Sequence, residues 1–424
     1  MWGRKMKSIK MIETLFNERK KYGIKPGLNR MYRLLEAFDH PEKKLRVIHV
    51  AGTNGKGSTV TLMQNVLRLE NYRVGVFSSP SFTGIRGHIV WNDQPIQETH
   101  FIALFEALEE TINQLDREGN HPTPFEILTV IALRYFVGRT DIVIIEAGMG
   151  GREDTTNVVE PILSIITTVA MDHMQFLGNT IDSIASHKAG IIKRGHPVVI
   201  GDMNAIASDV IREEAGKQQA TLYAFGKDYI LEETARELCI RIEKERICID
   251  PLFKGTYQIH NFAVACMGLY LLQKDGIEFH KKTAEEAIRN FQLQGRFELL
   301  SKNPAILLDS AHNMAGIEAL IHTIKEKYEE KNIHCLFAGF KDKAVHEMIE
   351  FLGNNCDEMT VTTFDHERAM SMEELYTLNL RDVHFLSDWR IYLDALYNDK
   401  DSETLYIITG SMHFIMQVRQ YLLS

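Results

Sequence analysis

Only five cysteines occur in 424 residues: Cys239, Cys248, Cys266, Cys335 and Cys356. The number is odd and no two form a C-x-x-C pair, which fits a reducing cytoplasm and leaves no structural zinc site. Long apolar runs are missing too: none reaches the roughly 18 residues of a membrane span. The N-terminus, MWGRKMKSIKMIETL, is basic but has neither the apolar core nor the small-residue cleavage site of a signal peptide, so it reads as an amphipathic first helix. Positive charge is in deficit, with 48 Lys and Arg against 57 Asp and Glu and a net charge of −9. That balance argues against a nucleic-acid or anionic-membrane partner, yet leaves anionic substrates open, because local charge holds those. There is no internal repeat and no low-complexity tract.

What remains is a globular composition, 45% hydrophobic and 25% charged, on a chain long enough for at least two domains. Its most informative stretch is Arg46 to Ser58, RVIHVAGTNGKGS. The β-branched run Val47-Ile48-His49-Val50 breaks into Gly52-Thr53-Asn54-Gly55-Lys56-Gly57-Ser58, and a helical segment from Thr59 to Leu69 follows. Strand, glycine loop and helix form the layout of a phosphate cradle. Glycines let backbone N–H groups converge, the helix adds its positive N-terminal end, Lys56 adds a full charge, and Ser58 or Thr59 offers a hydroxyl to phosphate or Mg²⁺. The match to G-x-x-x-x-G-K-[ST] is imperfect, since Gly57 separates Lys56 from Ser58. The plain alternative is a glycine-rich turn with a surface lysine.

Hydrophobic periodicity then alternates between strand and helix. Helix is expected over 6–20, broken at Lys25-Pro26-Gly27 and resumed at 31–38. Strands are expected at 73–78, 141–147, 161–169 and 197–201, with a hairpin at Ile89-Val90-Trp91, and helices at 97–116, 124–137 and 181–190. DIVIIEA (141–147) reads as a central parallel strand buried on both faces. The rhythm implies a doubly wound α/β sheet. Leu238 to Asp250 alternates as a β-hairpin, and a helix near 260–273 follows. A boundary is expected at 292–297, giving an N-terminal domain over 1–294 that carries the glycine loop and a smaller α/β domain over 295–424 with strands at 305–309, 333–338, 358–363, 383–386 and 404–409.

Ligands of open α/β sheets sit beyond the carboxyl ends of the strands. Ser79, Glu146 and Asp172-His173 fall there. A hydroxyl, a carboxylate and an imidazole suit a Mg²⁺ that keeps waters and shares phosphate oxygens. Their ordinary readings are a turn residue before Pro80, a helix cap and a helix-start histidine. Lys188, in Ser186-His187-Lys188-Ala189-Gly190, reads on its own as a solvated helix-end lysine. Asp309 and His312, at a strand–helix junction, could face one ligand, with an N-cap as the alternative for Asp309 or Asn313. Arg296 could reach a phosphate as a bidentate donor.

VAGTNGKGST, SSP, IIEAGMGG, VAMDH, HKAGIIK, GRFE and DSAHN occur in an order and spacing that resembles folylpolyglutamate synthases and dihydrofolate synthases, the folate branch of the Mur-ligase-like ATP-dependent amide ligases. YGIKPGLNRM, TPFE at 123–126, YQIHN at 257–261, Arg368-Ala369 and the ITGS near the end also resemble that family, so the similarity covers nearly the whole chain. The resemblance implies an N-terminal P-loop ATPase domain, a C-terminal Rossmann-like domain, and ligation of L-glutamate to a folate carboxylate through an acyl phosphate, with dihydropteroate as a further acceptor. It implies ATP bound by Gly52, Thr53, Asn54, Gly55, Lys56, Gly57 and Ser58, with Asn261, Arg296 and Asp309 as further nucleotide contacts. It implies two Mg²⁺ held through Ser79, Glu146, His173 and a carbamylated Lys188, catalytic roles for Lys56, Lys188, Asp309 and His312, and a cytoplasmic monomer. The sequence departs from the family pattern over 81–88, where SFTGIRGH stands beside the expected folate site, and at Ser310 and Met314 in the DSAHN motif. A ligase for another carboxylate, or a nucleotide-binding switch without ligation, are the alternatives.

Overall fold

Val47–Ala51 is β-branched, apolar and wholly buried, and such a segment settles between two neighbours in a parallel sheet. In the computed structural model, which describes residues 7–23, 25, 27–233, 238–249, 256–397 and 403–424, this is the case. The described residues fall into two units. One draws on Met1–Val169, Gln175–Pro251 and His260–Asn290, the other on Ala170–Met174, Leu252–Ile259 and Phe291–Ser424.

The first unit's strands are β1 (Val47–Ala51), β2 (Val74–Phe77), β3 (Ile89–Trp91), β4 (Gln94–Pro95), β5 (Ile142–Glu146), β6 (Leu163–Ile166), β7 (Val198–Ile200) and β8 (Leu222–Ala224). They form one eight-stranded sheet in the order β4-β3-β2-β5-β1-β6-β7-β8. From β2 to β8 all neighbours are parallel, and only β3 runs against them, antiparallel to both β2 and β4. β1 therefore sits between β5 and β6, with β2 beyond β5. This change of direction is where a doubly wound sheet opens a crevice at its carboxyl edge. One face packs Val47, Phe77, Val143 and Ile145 against the helices Glu98–Arg117 and Pro124–Phe136. The other packs Ala51, Ile166 and Ile200 against Ile181–Ala189 and Ala205–Lys217.

A separate three-stranded sheet joins β9 (Tyr229–Glu233), β10 (Leu238–Ile242) and β11 (Glu245–Ile249). The hairpin read from the sequence is β10–β11; its last residue, Asp250, lies outside the described residues, as do Ile24 and Pro26 of the YGIKPGLNRM stretch. The hairpin register sets Cys239 opposite Cys248, and a disulfide joins them with 4.0 Å between their Cα atoms. The scattered spacing had suggested reduced thiols throughout. Strand register, which no spacing rule reports, pairs these two and leaves Cys266, Cys335 and Cys356 free.

The second unit carries β12 (Glu298–Lys302), β13 (Ala305–Leu308), β14 (Asn332–Phe337), β15 (Glu358–Thr362), β16 (His384–Leu386) and β17 (Thr404–Thr409) in the order β12-β13-β17-β14-β15-β16. All are parallel except the edge strand β12. Alternate residues go to opposite cores, as a period of two requires. Leu307, Cys335, Phe337 and Ile407 face one layer of helices, and Leu308, Leu336 and Ile408 the other.

Candidate active site

The carboxyl ends of β2, β5, β1 and β6 lie side by side, so Ser79, Glu146, the Gly52–Ser58 loop and Thr167-Thr168 share one edge of the first unit. The loop leaves β1 at Gly52, where φ is 153°, and enters the helix Lys56–Leu69 through Gly55, where φ is 86°. Both glycines are required by contact. A β-carbon on Gly52 would strike the Thr167 hydroxyl, and one on Gly55 would strike the Asn261 side chain. Thr167 and Thr168 hold the loop from the neighbouring strand. Thr53 N–H donates to the Thr168 carbonyl at 2.8 Å, Asn54 N–H to Thr168 Oγ1 at 3.0 Å, and the Thr167 hydroxyl donates to the Asn54 carbonyl at 2.6 Å. Lys56 curls back over the loop, its Nζ donating to the Gly52 carbonyl at 2.9 Å and the Thr53 carbonyl at 3.3 Å. Asn261 meets the same helix through its carbonyl, which accepts from Thr59 Oγ1 at 3.4 Å.

Glu146 ends β5 and is 5% exposed, while Ser79 follows β2 and precedes the cis Ser79–Pro80 bond. Hydroxyl and carboxylate are hard oxygen donors. Among the described residues no three His, Cys, Asp or Glu side chains make a ready cage. The donors therefore fit Mg²⁺ only as an ion completed by waters and phosphate oxygens. The glycine loop after Glu146 packs against the end of the helix Ile181–Ala189, where Arg152 N–H donates to the His187 carbonyl at 2.7 Å. That helix carries Lys188, which is 3% exposed. A solvated helix-end lysine is thus not what the structure contains.

Beneath the loop lies a buried polar chain. His49 Nε2 is 2.8 Å from Thr156 Oγ1, and the Thr156 hydroxyl donates to Asp154 at 2.5 Å. Met149 N–H and Thr156 N–H also donate to Asp154, at 2.8 and 3.0 Å. Burial raises the Asp154 carboxyl above the ordinary carboxylate range, and these donors only partly offset it.

In the second unit Asp309 ends β13. It accepts from Phe297 N–H at 2.7 Å, Ala311 N–H at 2.8 Å and the Tyr257 hydroxyl at 2.9 Å. Burial raises its carboxyl, and the charge of Arg296 opposes this. Asn313, not Asp309, is the cap of the helix Met314–Lys327, accepting from Gly316 N–H at 2.9 Å. His312 turns away from Asp309: one ring nitrogen is 2.8 Å from the Ser310 carbonyl and Nε2 is 3.6 Å from Asp172. Residues 170–174 belong to this unit, so His173 lies with His312 and Asp309. Asp172 also pairs with Lys343 and accepts from Asn313 Nδ2 at 3.2 Å. Burial would raise Asp172, but His312, His173 and Lys343 outweigh it and hold the carboxyl far below its usual range. At the end of β17 the Ser411 hydroxyl is buried with no hydrogen-bond partner among the described residues.

A model of the Mur ligase middle domain matches residues 50–269, and one of the Mur ligase glutamate ligase domain matches residues 295–412. Over 418 residues the sequence is 36% identical to the dihydrofolate synthase/folylpolyglutamate synthase of Bacillus subtilis (strain 168), covering 95% of this chain and 96% of that protein. The chain belongs to the folate branch of the Mur ligases. Among solved structures, this Mur ligase superposes on a folylpolyglutamate synthase from Thermotoga maritima with a TM-score of 0.82 at 30% identity, covering 98% of this chain and 97% of that one. It superposes on E. coli FolC in complex with DHPP and ADP with a TM-score of 0.85 at 25% identity, covering 97% of both chains.

Of the residues singled out from sequence, the structure gathers Gly52, Thr53, Asn54, Gly55, Lys56 and Asn261 at one loop. It sets Ser79 and Glu146 on adjacent strand ends and leaves Arg296, Asp309, His312 and His173 in the second unit. Sequence reading missed Thr167, Thr168, Asp154 and Lys343. The first two had a signal, since a Thr-Thr pair ending an apolar strand is a polar step at the sheet's ligand edge. Lys343 had none, because Lys-Asp-Lys before a helix reads as solvated charge.

Proposed function

We propose that this Mur ligase joins L-glutamate to a carboxylate of a folate, converting ATP to ADP and phosphate through an acyl phosphate. The phosphate cradle carries the reading. A glycine loop braced by Thr167 and Thr168, with Lys56 folded over it, is poised to exchange backbone carbonyls for phosphate oxygens. The likeness to proteins named for both dihydrofolate and folylpolyglutamate synthesis gives the acceptor class. A carboxylate oxygen of the acceptor attacks the γ-phosphorus and the bond to the β-phosphate bridge breaks, releasing ADP. The glutamate nitrogen then attacks the acyl carbon and loses a proton, and phosphate leaves with one acceptor oxygen.

Phosphoryl transfer depends on positioning and charge neutralisation. Lys56 and the N–H groups of Gly55, Gly57 and Ser58 meet the phosphates, with Thr53, Asn54, Asn261 and Arg296 completing the nucleotide contacts. Ser79, Glu146, His173 and Lys188 would hold two Mg²⁺, whose charge would neutralise the phosphate oxygens. Asp309 and His312 place nucleotide and glutamate. In this reading residues 1–294 carry the phosphate cradle, and 295–424 add Arg296 and Asp309 to the nucleotide and present the amino acid.

ADP release is expected to require both L-glutamate and an acceptor, either tetrahydrofolate or dihydropteroate. Lys56→Ala is expected to lower it by at least about 100-fold with unchanged thermal unfolding. ADP release indifferent to glutamate would support the switch instead. The family likeness is the ground for a carbamate on Lys188, formed when the neutral amine adds to CO₂ and releases a proton to give an anionic oxygen ligand; the burial of Lys188 beside the Glu146 loop supports a ligand role over a solvated lysine. Lys188→Ala should then be inactive and partly restored by short carboxylic acids. Full activity without them would rule the carbamate out.

A further inference from the structure

Among the described residues of the second unit, Lys343 and Asp172 form a strongly buried ion pair that the chemistry above does not use. Lys343 lies between β14 and the helix Val345–Gly353, its side chain only 7% exposed, paired with an Asp172 side chain that is 5% exposed. Burying two charges costs several kcal/mol per ion, so such a pair is poor evidence for stability and needs another reason to be where it is. Asp172 supplies one. Its Oδ1 takes Lys343 and the backbone N–H of His173, the latter at 2.8 Å, and its Oδ2 takes Asn313. With both oxygens so engaged, the carboxylate is placed to hold structure and not to meet a substrate amine. What it does hold is the turn. His173 has φ of 50°, a left-handed conformation that a residue bearing a β-carbon adopts only against a steric penalty. It persists where surrounding contacts enforce it, and the Asp172 carboxylate on its own N–H is such a contact.

We propose that Lys343 is a positioning residue for His173: by fixing Asp172 it locks the left-handed turn that aims the imidazole. The inference rests on the reading of His173 as a Mg²⁺ ligand. Loss of such an outer partner lowers metal affinity by about 10- to 100-fold in metal sites generally.

The test measures binding of Mn²⁺, as a spectroscopic stand-in, to the full chain holding a non-hydrolysable ATP analogue. Lys343→Met is expected to weaken Mn²⁺ at least about 10-fold while analogue affinity without metal is unchanged. Lys343→Arg is expected to recover most of the loss. In turnover the Mg²⁺ requirement of Lys343→Met should shift upward, with kcat at saturating Mg²⁺ nearly retained. Should Lys343→Met not fold, Lys343→Met with Asp172→Asn removes both charges and is expected to show the same weakening. Native Mn²⁺ affinity in whichever of these folds overturns the inference. His173→Ala is the control. If it binds Mn²⁺ normally, the ligand assignment fails and the inference with it. If it weakens Mn²⁺ and the Lys343 variants do not, the inference alone fails, and glutamate-dependent ADP release by the unaltered chain stands apart from both.

Discussion

His49 lies in the middle of β1, wholly buried, yet it is an ionisable side chain. Burial, with a smaller push from the charge of Lys193, lowers it to about 3, so the folded protein keeps it neutral. The unfolded chain takes up a proton below about pH 6.5. The stability carried by neutral His49 is therefore complete above that pH and drains away as the pH falls towards 3, at up to about 1.4 kcal/mol per unit. Urea titrations of the first unit's transition at pH 7.5 and 5.5 check this. The native chain is expected to lose more stability between them than His49→Gln, and equal losses would contradict the burial account. At this scale the sequence was readable where a residue's chemistry shows in its neighbours. The glycines and Lys56 announced themselves through strand and helix context. His49 and Lys343 did not, because their partners, Thr156 and Asp172, are 107 and 171 positions away in the chain and only tertiary structure supplies them.

At the level of elements, local signals were sufficient wherever burial is two-sided. DIVIIEA became β5, and the strands expected at 305–309, 333–338, 358–363, 383–386 and 404–409 fall within a few residues of their places. The strands missed are edge pieces, since β8, β9 and β12 are short or half-exposed and their patterns are diluted, and the helices Ala205–Lys217 and Lys281–Arg289 were missed as well. TPFE at 123–126, first noticed only as a family likeness, has a plain physical reason. Thr123 caps the helix Pro124–Phe136, Glu126 returns a bond to Thr123 N–H at 2.7 Å, and Pro124 needs no N–H at the first helical position. Glu126 also takes Arg30 at 2.9 Å, which ties that helix to Asn29–Glu36. Thr123→Ala is expected to cost about 1–2 kcal/mol of stability, read as a lower urea midpoint. A change within a few tenths would mean that Arg30 and Glu126 fix the helix start alone.

For the whole molecule, the order of strands does what no motif can. It lays the ends of β2, β5, β1 and β6 side by side, so residues from 52 to 168 reach one edge of one sheet. A second sheet of the same parallel kind presents Asp309, the β14 end and Ser411 at its own carboxyl edge. No helix among the described residues is long and apolar enough to cross a membrane. The central claim is that the first sheet's phosphate cradle turns a carboxylate into an acyl phosphate, and the oxygen of that carboxylate reports it directly. With the acceptor carboxylate labelled with ¹⁸O, one labelled oxygen is expected in the released phosphate for each amide made. Amide formation with unlabelled phosphate would mean that the carboxylate never carried the γ-phosphoryl group.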